Sequence, residues 1–491
     1  MKSKLLLLFS LFLLATIYGI AQTQIRSQVI IGGTEDDYLT KLCLDKNGFL
    51  AAGNSESDSS KFKSRNSLGG RDIWVVKYSR NKISGQPKKV WDKTIGGTVD
   101  DNLIDARTTR DGGYLILGAL GIPGSDASNF WLIKLKVNGS IAWQKNFGTD
   151  YIYGMDTTND GGIVLVGQPG LIKTDALGNI QWTKPKPFNP DYPYSTVDQA
   201  KDGSYLLAST AGEILKTDHE GNILWTKNYS VDDDGYDFVY SVHKISEAGD
   251  GSIFLSQGIY YIIFSPSDND MFFFDNRLYK LDINGNEQWN YLVSYPGSAV
   301  STYIMSALQT RDGGFLIGST INLTPSAEYP RNVDLITKLN AAGAVKWTRT
   351  LKGGSTMEDI VEPVSNTYLV GSSAYLTDST GDKTKPPVGK NDYWIVALQD
   401  TTSAENINQL NSIAANIKAQ ALKVYPNPAV NEIYIDSKQP SDILIFNQKG
   451  QVVLKQSPGK SGTINIRHLQ NGVYYVKDTN TGEVQKIIVQ H

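Results

Sequence analysis

The sequence predicts an all-β protein: a seven-bladed β-propeller of four-stranded blades over residues 22–402, then a small Ig-like β-sandwich over residues 422–491. Three observations carry the prediction. The 491 residues include 46 Gly and 18 Pro alongside 26 Tyr, 15 Phe and 9 Trp. Frequent chain breaks with that much aromatic surface suit neither a helical bundle nor a disordered chain. A unit of four short strands recurs through the body, and short alternating segments follow at close spacing to the end of the chain.

At the N-terminus, Lys2 and Lys4 precede an apolar stretch from Leu5 to Ile17, and Gly19-Ile20-Ala21 offers small residues where a signal peptidase reads. Residues 1–21 are therefore expected to be a secretory signal peptide. The stretch is shorter than the about 20 apolar residues a membrane-spanning helix needs. No other segment has that length, so no transmembrane segment is expected after cleavage. The single cysteine, Cys43, excludes a disulfide framework and a thiolate metal cluster. A formal charge of −3 gives no footprint for nucleic acid. No cofactor is expected.

The repeat is plainest where Ile95-Gly96-Gly97-Thr98-Val99-Asp100-Asp101 leads into a strand ending at Thr109, then a turn at Arg110-Asp111-Gly112-Gly113. A strand from Tyr114 to Gly118 follows, then a variable loop, Asn129 to Leu135, a turn at Asn138-Gly139, and Ile141-Ala142-Trp143-Gln144-Lys145. The first turn recurs around Gly48, Gly161, Gly203, Gly251 and Gly313, and Asp-Gly or Asn-Gly tolerates the positive φ of tight hairpins. The second turn recurs as Asp175 to Gly178, Asp218 to Gly221, Asp282 to Gly285 and Asn340 to Gly343. Each is followed four residues after the glycine by Trp182, Trp225, Trp289 or Trp347. The last copy, Gly353 to Ala397, lacks its Trp strand, whereas Ser27 to Gly33 matches the end of such a strand and has no copy before it. Pairing these two ends closes the ring and removes its open sheet edges.

Antiparallel connectivity places the Asp-Gly and Asp-x-x-Gly turns on one face, and the Gly-Gly links and the loops between second and third strands on the other. Nearly all length variation falls on the second face, the usual location of binding sites on a rigid ring. Carboxylates collect there: Glu35, Asp36, Asp37, Asp100, Asp101, Asp150, Asp232, Asp233, Asp234, Glu358 and Asp359. Repeated turn chemistry accounts for them most simply, and a cation site or a glycosidase carboxylate pair is the functional alternative. Tyr260, Tyr261 and Phe264, with Phe272 and Phe273 beyond a polar tip, predict an aromatic hairpin. Its rings would either stack on a sugar or protein ligand or pack on adjacent loops.

Residues 403–421 break the repeat and read as a linker. Seven short strands follow: 422–425, 432–436, 442–447, 452–456, 463–466, 473–478 and 484–490. This segment carries Val424-Tyr425-Pro426-Asn427-Pro428, then Ile443 to Gly450, then Leu469-Gln470-Asn471-Gly472-Val473-Tyr474, then Lys486-Ile487-Ile488-Val489. In these motifs and their order it resembles the type A C-terminal sorting domain of type IX secretion cargo. The Asp-x-x-Gly-x-x-x-Trp piece of the body loosely resembles the tryptophan-docking repeat of quinoprotein propellers, whose vicinal cysteine pair this chain cannot supply.

The sorting resemblance implies a secreted or outer-membrane surface protein handled by the type IX machinery, with Tyr425, Pro426, Asn427, Pro428, Gly450, Gly472, Tyr474 and Lys486 in the sorting motifs. The body is then expected to be a binder of an extracellular glycan, peptide or protein. The alternative is a polysaccharide hydrolase or lyase using loop-face carboxylates.

Overall fold

The computed structural model describes residues 23–79, 87–185, 193–229, 238–263, 271–293, 301–322, 332–353, 355–375, 381–401, 423–436, 442–447, 452–457, 462–478 and 484–491. The expected signal peptide and linker, Asp232 to Asp234, Phe264 and Gly450 lie outside these residues. The chain divides into two compact units, Met1–Thr402 and Ser403–His491.

The first unit opens with β1 (Thr23–Ile31) and holds, among the described residues, seven four-stranded antiparallel sheets. The first is β2 to β5 (Asp37–Asp45, Gly48–Ser55, Asp72–Ser79, Lys88–Ile95), the second β6 to β9 (Asp101–Thr108, Tyr114–Gly121, Ser128–Leu135, Ile141–Asn146). The third is β10 to β13 (Ile152–Thr157, Ile163–Gly167, Gly170–Thr174, Ile180–Lys184), the fourth β14 to β17 (Tyr194–Gln199, Tyr205–Ser209, Glu213–Thr217, Ile223–Asn228). The fifth is β18 to β21 (Phe238–Glu247, Ile253–Ile263, Met271–Leu281, Glu287–Leu292), the sixth β22 to β25 (Ser301–Gln309, Phe315–Asn322, Asn332–Leu339, Val345–Lys352). The seventh combines β26 to β28 (Ser355–Val364, Thr367–Ala374, Asp392–Asp400) with β1 outside β28. First strands contact one another from β2 through β6, β10, β14, β18 and β22 to β26, and β26 returns to β2. The ring closes, and the unit is a β-propeller.

Burial follows position in the sheet. Middle strands are covered on both faces by neighbouring sheets, so Ile163–Gly167 and Tyr205–Ser209 are buried throughout and read as unbroken apolar runs. Outer strands such as Ile141–Asn146 and Ile223–Asn228 alternate between exposed and half-buried.

Two repeated contacts join the parts. The Trp of each outer strand lies against the turn glycine of the next sheet. A Cβ on Gly139, Gly178, Gly221, Gly285 or Gly343 would stand 2.8 to 3.0 Å from the ring of Trp91, Trp143, Trp182, Trp225 or Trp289. Only glycine lets ring and turn approach this closely, and these turns also need its positive φ, 77° at Gly178. Trp347 faces the sheet closed by β1, which has no such turn, and its indole N–H donates instead to Asp400 at 2.7 Å.

The second contact was not legible as a pair. In six sheets a buried lysine of the third strand reaches the aspartate at the first turn: Lys77–Asp45 (2.5 Å), Lys134–Asp111 (2.8 Å), Lys173–Asp160 (2.8 Å), Lys216–Asp202 (3.0 Å), Lys280–Asp250 (2.7 Å) and Lys338–Asp312 (2.7 Å). The seventh sheet has Ala397 at the lysine position and Asn366 in the turn, so both partners are absent together.

Burial raises the Asp111 and Asp160 carboxyls, but hydrogen bonds from the lysine, a threonine hydroxyl and a turn N–H outweigh it and hold both at about 2. Asp312 lies lower still, for the same reasons and with Lys346 added. A depressed carboxyl contributes stability above its unfolded pKa and loses it as pH falls through the folded value. Asp312→Asn strands the fully buried Lys338 and is expected to cost about 3–5 kcal/mol near neutral pH. That difference from wild type should shrink only in strongly acidic solution. Thermal unfolding of both chains across pH checks it.

The second unit is a two-sheet sandwich among the described residues. One sheet is ordered β29 (Lys423–Tyr425), β30 (Glu432–Asp436), β33 (Thr463–Asn465); the other is ordered β32 (Val452–Gln456), β31 (Ile443–Phe446), β34 (Gly472–Asp478), β35 (Val484–Val489). Val424, Ile433, Ile443, Ile464, Val476 and Ile487 lie in its own core.

Candidate functional site

The two faces of the propeller differ in what their side chains do. On the short-turn face the aspartates are held by buried lysines and the glycines by tryptophans. On the loop face, charged groups meet across neighbouring sheets at the rim. Lys390 pairs with Glu35 (2.7 Å), Asn391 donates to Asp36 (2.5 Å) and to the Tyr38 hydroxyl (3.2 Å), and Arg71 reaches Glu56 (3.2 Å) and Asn102 (3.3 Å). Asp100 accepts the Arg71 N–H at 2.8 Å. Asp37 and Asp101 are buried and accept the N–H of the second link glycine, Gly33 (2.7 Å) and Gly97 (2.6 Å). These carboxylates therefore do turn and link chemistry here.

Sequence reading missed a feature at the axis. Every first strand carries a one-residue bulge: Thr40, Ile104, Tyr153, Ser195, His243, Met305 and Glu358 have no partner in the register of their own sheet. Bulges redirect side chains and recur at rims and next to binding sites. Below them, carboxylates join adjacent first strands. Asp359 accepts from Leu42 N–H (2.9 Å) and the Ser306 hydroxyl (2.8 Å), and Asp156 accepts from Gln199 N–H (3.0 Å). Asp198 takes the Ser246 hydroxyl (2.8 Å), and Arg107 binds Asp105 (2.7 Å) within 3.8 Å of Asp156.

Lys41 of the first sheet acts on groups of two distant sheets. Burial holds His243 of the fifth sheet down at about 4, and the Lys41 charge adds to that. Burial pushes Glu358 of the seventh up to about 8; the Ser373 hydroxyl and Lys41 oppose the rise, and Asp334 and Asp359 reinforce it. The charge of one first strand is thus felt by two others across the ring. Among the described residues the Lys41 side chain makes no ion pair or hydrogen bond. No group of three or more His, Cys, Asp or Glu among the described residues is placed to hold a metal ion. Cys43 is buried, its thiol pushed up to about 12 by burial, which makes it an inert core residue.

The aromatic hairpin exists as backbone. β19 and β20 stay paired through Tyr260↔Phe274, Tyr261↔Phe273, Ile262↔Phe272 and Ile263↔Met271, in strands of 11 residues each. Phe264 and the side chains of Tyr260, Tyr261, Phe272 and Phe273 lie outside what is described. An apolar cavity of about 200 Å³ sits between the third and fourth sheets, lined by Val166, Leu171, Tyr194, Leu207 and Leu215. It lies where the middle strands are only five residues long.

In the sandwich, Asn427 ties its segment to the C-terminal strand: its amide donates to the Lys486 carbonyl (3.1 Å) and its oxygen accepts from Ile488 N–H (2.8 Å). Pro428 leads into Ala429, which donates to the Ile488 carbonyl at 2.7 Å. Gly472 opens β34, and the Tyr474 hydroxyl closes the preceding turn on the Gln470 carbonyl at 2.9 Å. Tyr425, Pro426, Pro428 and Lys486 are exposed, with Tyr425 stacked on Tyr434. Residues 423–490 match the family model described as a secretion system C-terminal sorting domain.

Residues 423–490 are a type IX sorting domain. The sorting domain directs export through the type IX system to the cell surface or the extracellular space. No helix among the described residues is long and apolar enough to cross a membrane. No curated protein matches the sequence.

Among solved structures, the chain is similar to BamB from Moraxella catarrhalis, with 11% identity over 77% of this chain and 98% of that one and a TM-score of 0.40. It is also similar to a protein of unknown function from Bacteroides caccae (12% identity, 57% and 89% covered, TM-score 0.38). A third is the C-terminal WD40 domain of Sif2 (8% identity, 75% and 98% covered, TM-score 0.43).

Proposed function

We propose that the chain is an exported binding protein whose propeller takes an extracellular glycan, peptide or protein on its loop face, around the axial mouth. The contrast between the two faces supports this reading: the short-turn face uses its repeated polar residues for its own structure, whereas the loop face gathers rim charges and, at the axis, Lys41 without a counterion. The hairpin carrying Tyr260, Tyr261, Phe264, Phe272 and Phe273 supplies aromatic contacts at the edge of that face. Residues 1–21 serve as the inner-membrane signal. Tyr425, Pro426 and Lys486 present the sorting domain to the machinery, while Asn427, Gly472 and Tyr474 hold its shape.

Glu358 favours one second reading. A carboxyl held at about 8 is protonated at neutral pH, as a general acid in polysaccharide cleavage must be. Of its neighbours, Asp359 accepts from Leu42 N–H, and Asp334 accepts the Ser355 and Ser372 hydroxyls on one oxygen and keeps the other without a partner.

A glycan and surface-protein array probed with the exported chain, with turnover measured alongside, tests the proposal. Lys41→Ala and the pair Tyr261→Ala and Phe273→Ala are expected to weaken binding at least about tenfold, while His219→Ala on the short-turn face leaves it unchanged. Binding that survives the loop-face variants and fails with His219→Ala overturns the assignment. If the hairpin pair costs about 3 kcal/mol or more of stability without a binding defect, the hairpin is packing. Turnover abolished by Glu358→Gln would establish the hydrolase instead.

A further inference from the structure

Two successive links in the ring share an arrangement that neither turn chemistry nor ligand binding explains. Asp72 and Asp392 each open the third strand of their sheet, and both are fully buried. Each is held through Oδ2, Asp72 by Leu68 N–H (2.7 Å) and the Ser67 hydroxyl (2.8 Å), Asp392 by Val388 N–H. Each leaves Oδ1 buried with no hydrogen-bond partner.

Both orphan oxygens face a second carboxylate across the first glycine of a Gly-Gly link. A Cβ on Gly96 would stand 2.0 Å from Asp72 Oδ1 and 2.3 Å from Asp101 Oδ2. A Cβ on Gly32 would stand 1.7 Å from Asp392 Oδ1 and 3.0 Å from Asp37 Oδ2. Two carboxylate oxygens therefore converge on each of these glycines, one of them buried without a donor of its own, an arrangement that costs free energy unless a donor is supplied.

The link into the seventh sheet carries a serine in place of the second acid. Ser355 stands three residues before the bulge at Glu358, as Asp37 and Asp101 stand three before Thr40 and Ile104. Its hydroxyl donates to Oδ2 of the buried Asp334 at 2.9 Å, and Asp334 Oδ1 is left without a partner. Where the first-strand residue is Ser, the hydroxyl bonds the facing acid. Where it is Asp, the only donor the pair itself can supply is a proton.

We propose that Asp72–Asp101 and Asp37–Asp392 each hold one shared proton, an acid-to-carboxylate hydrogen bond that clasps adjacent sheets on both sides of the first blade and makes the ring closure pH-sensitive. The surrounding charges allow it. Lys63, fully buried, bonds Ser55 (2.8 Å) and the Ser57 carbonyl (2.5 Å) and acts on Asp37 and Asp72, Lys383 acts on Asp392, and Asp100 acts on Asp101. Ser55 and Ser57 hydroxyls face Asp37, and Gly97 and Gly121 N–H groups hold Asp101. Burial still prevails, lifting Asp37 and Asp101 and pushing Asp392 up to about 6. A carboxyl raised in the folded state binds its proton below the folded pKa, so its stabilising protonation is lost as pH rises from the unfolded value towards the folded one.

The test uses the full chain and two readouts. Asp72→Asn and Asp392→Asn place an amide donor where the proton is proposed to sit. Between about pH 3 and about pH 7 the folding equilibrium of wild type should weaken relative to the double variant, by up to about 100-fold from the Asp37–Asp392 clasp, the size of a rise from 3.8 to about 6. Asp198, Asp334 and Glu358 are raised in both chains, so the difference between chains is what counts. Infrared difference spectra at about pH 6 should show protonated-carboxyl absorption in wild type that the variants lack. Equal pH profiles for the two chains, or identical carboxyl absorption, overturn the proposal. So does calcium raising the melting temperature of wild type but not of the variants, which would place a cation between the acids.

Discussion

Deleting residues 22–33 is expected to open the ring and collapse cooperative unfolding. β1 pairs along the whole of β28, from Thr23↔Asp400 to Ile31↔Tyr393. Ile30 and Ile31 enter two different cores, where burial of each contributes about 1.5–3 kcal/mol. Gln28 accepts from the Trp394 indole (3.1 Å) and from Thr384 N–H (3.2 Å) and donates to the Asp382 carbonyl (2.7 Å). The deletion also exposes β28 as an unpaired edge and removes the Gly32-Gly33 link. These losses together reach the about 5–15 kcal/mol that a folded domain has to spare. Removing exposed loop residues 124–126 is the control and should cost less than about 1 kcal/mol. Denaturant and thermal unfolding of the three chains decide it: an unchanged melting temperature after removal of β1 would falsify the closure.

Removing residues 422–491 is expected to abolish appearance at the surface and in the medium while leaving the propeller folded. The segment belongs to a unit with its own core, and the seven sheets lie entirely within Met1–Thr402. Loss of the sorting domain therefore removes the export address and no propeller strand. Fractionation with immunodetection should find the truncated chain retained inside the outer membrane, protease-resistant as a folded body. Undiminished surface display would refute the assignment of export to this domain.

Much of the architecture was written locally. Asp-Gly and Asp-x-x-Gly mark turns whatever surrounds them, since positive φ is a property of one residue, and a Trp four residues past a glycine repeats in any register. The strand at Ser27 to Ile31 could be given to the last sheet because that copy alone lacked one. The sandwich motifs Val424 to Pro428 and Leu469 to Tyr474 likewise sit on contiguous residues. What stayed hidden was every contact made between copies.

Lys134 or Lys338 looks like an ordinary charge in an apolar strand until the sheet turns it inward onto the aspartate of the turn, 23 or 26 residues away. The Lys41 charge reaches His243 and Glu358 only because ring closure gathers the first strands around one axis, and the bulges at Thr40, His243 and Glu358 leave no mark in composition or period. Asp37 reads as a turn residue after Gly-Gly, and its own hydrogen bond to Gly33 is just that. The acid that faces it, Asp392, stands at the far end of the propeller sequence. Ring closure alone brings the two across Gly32, and burial there, absent from either local sequence, turns two ordinary aspartates into groups that must share a proton.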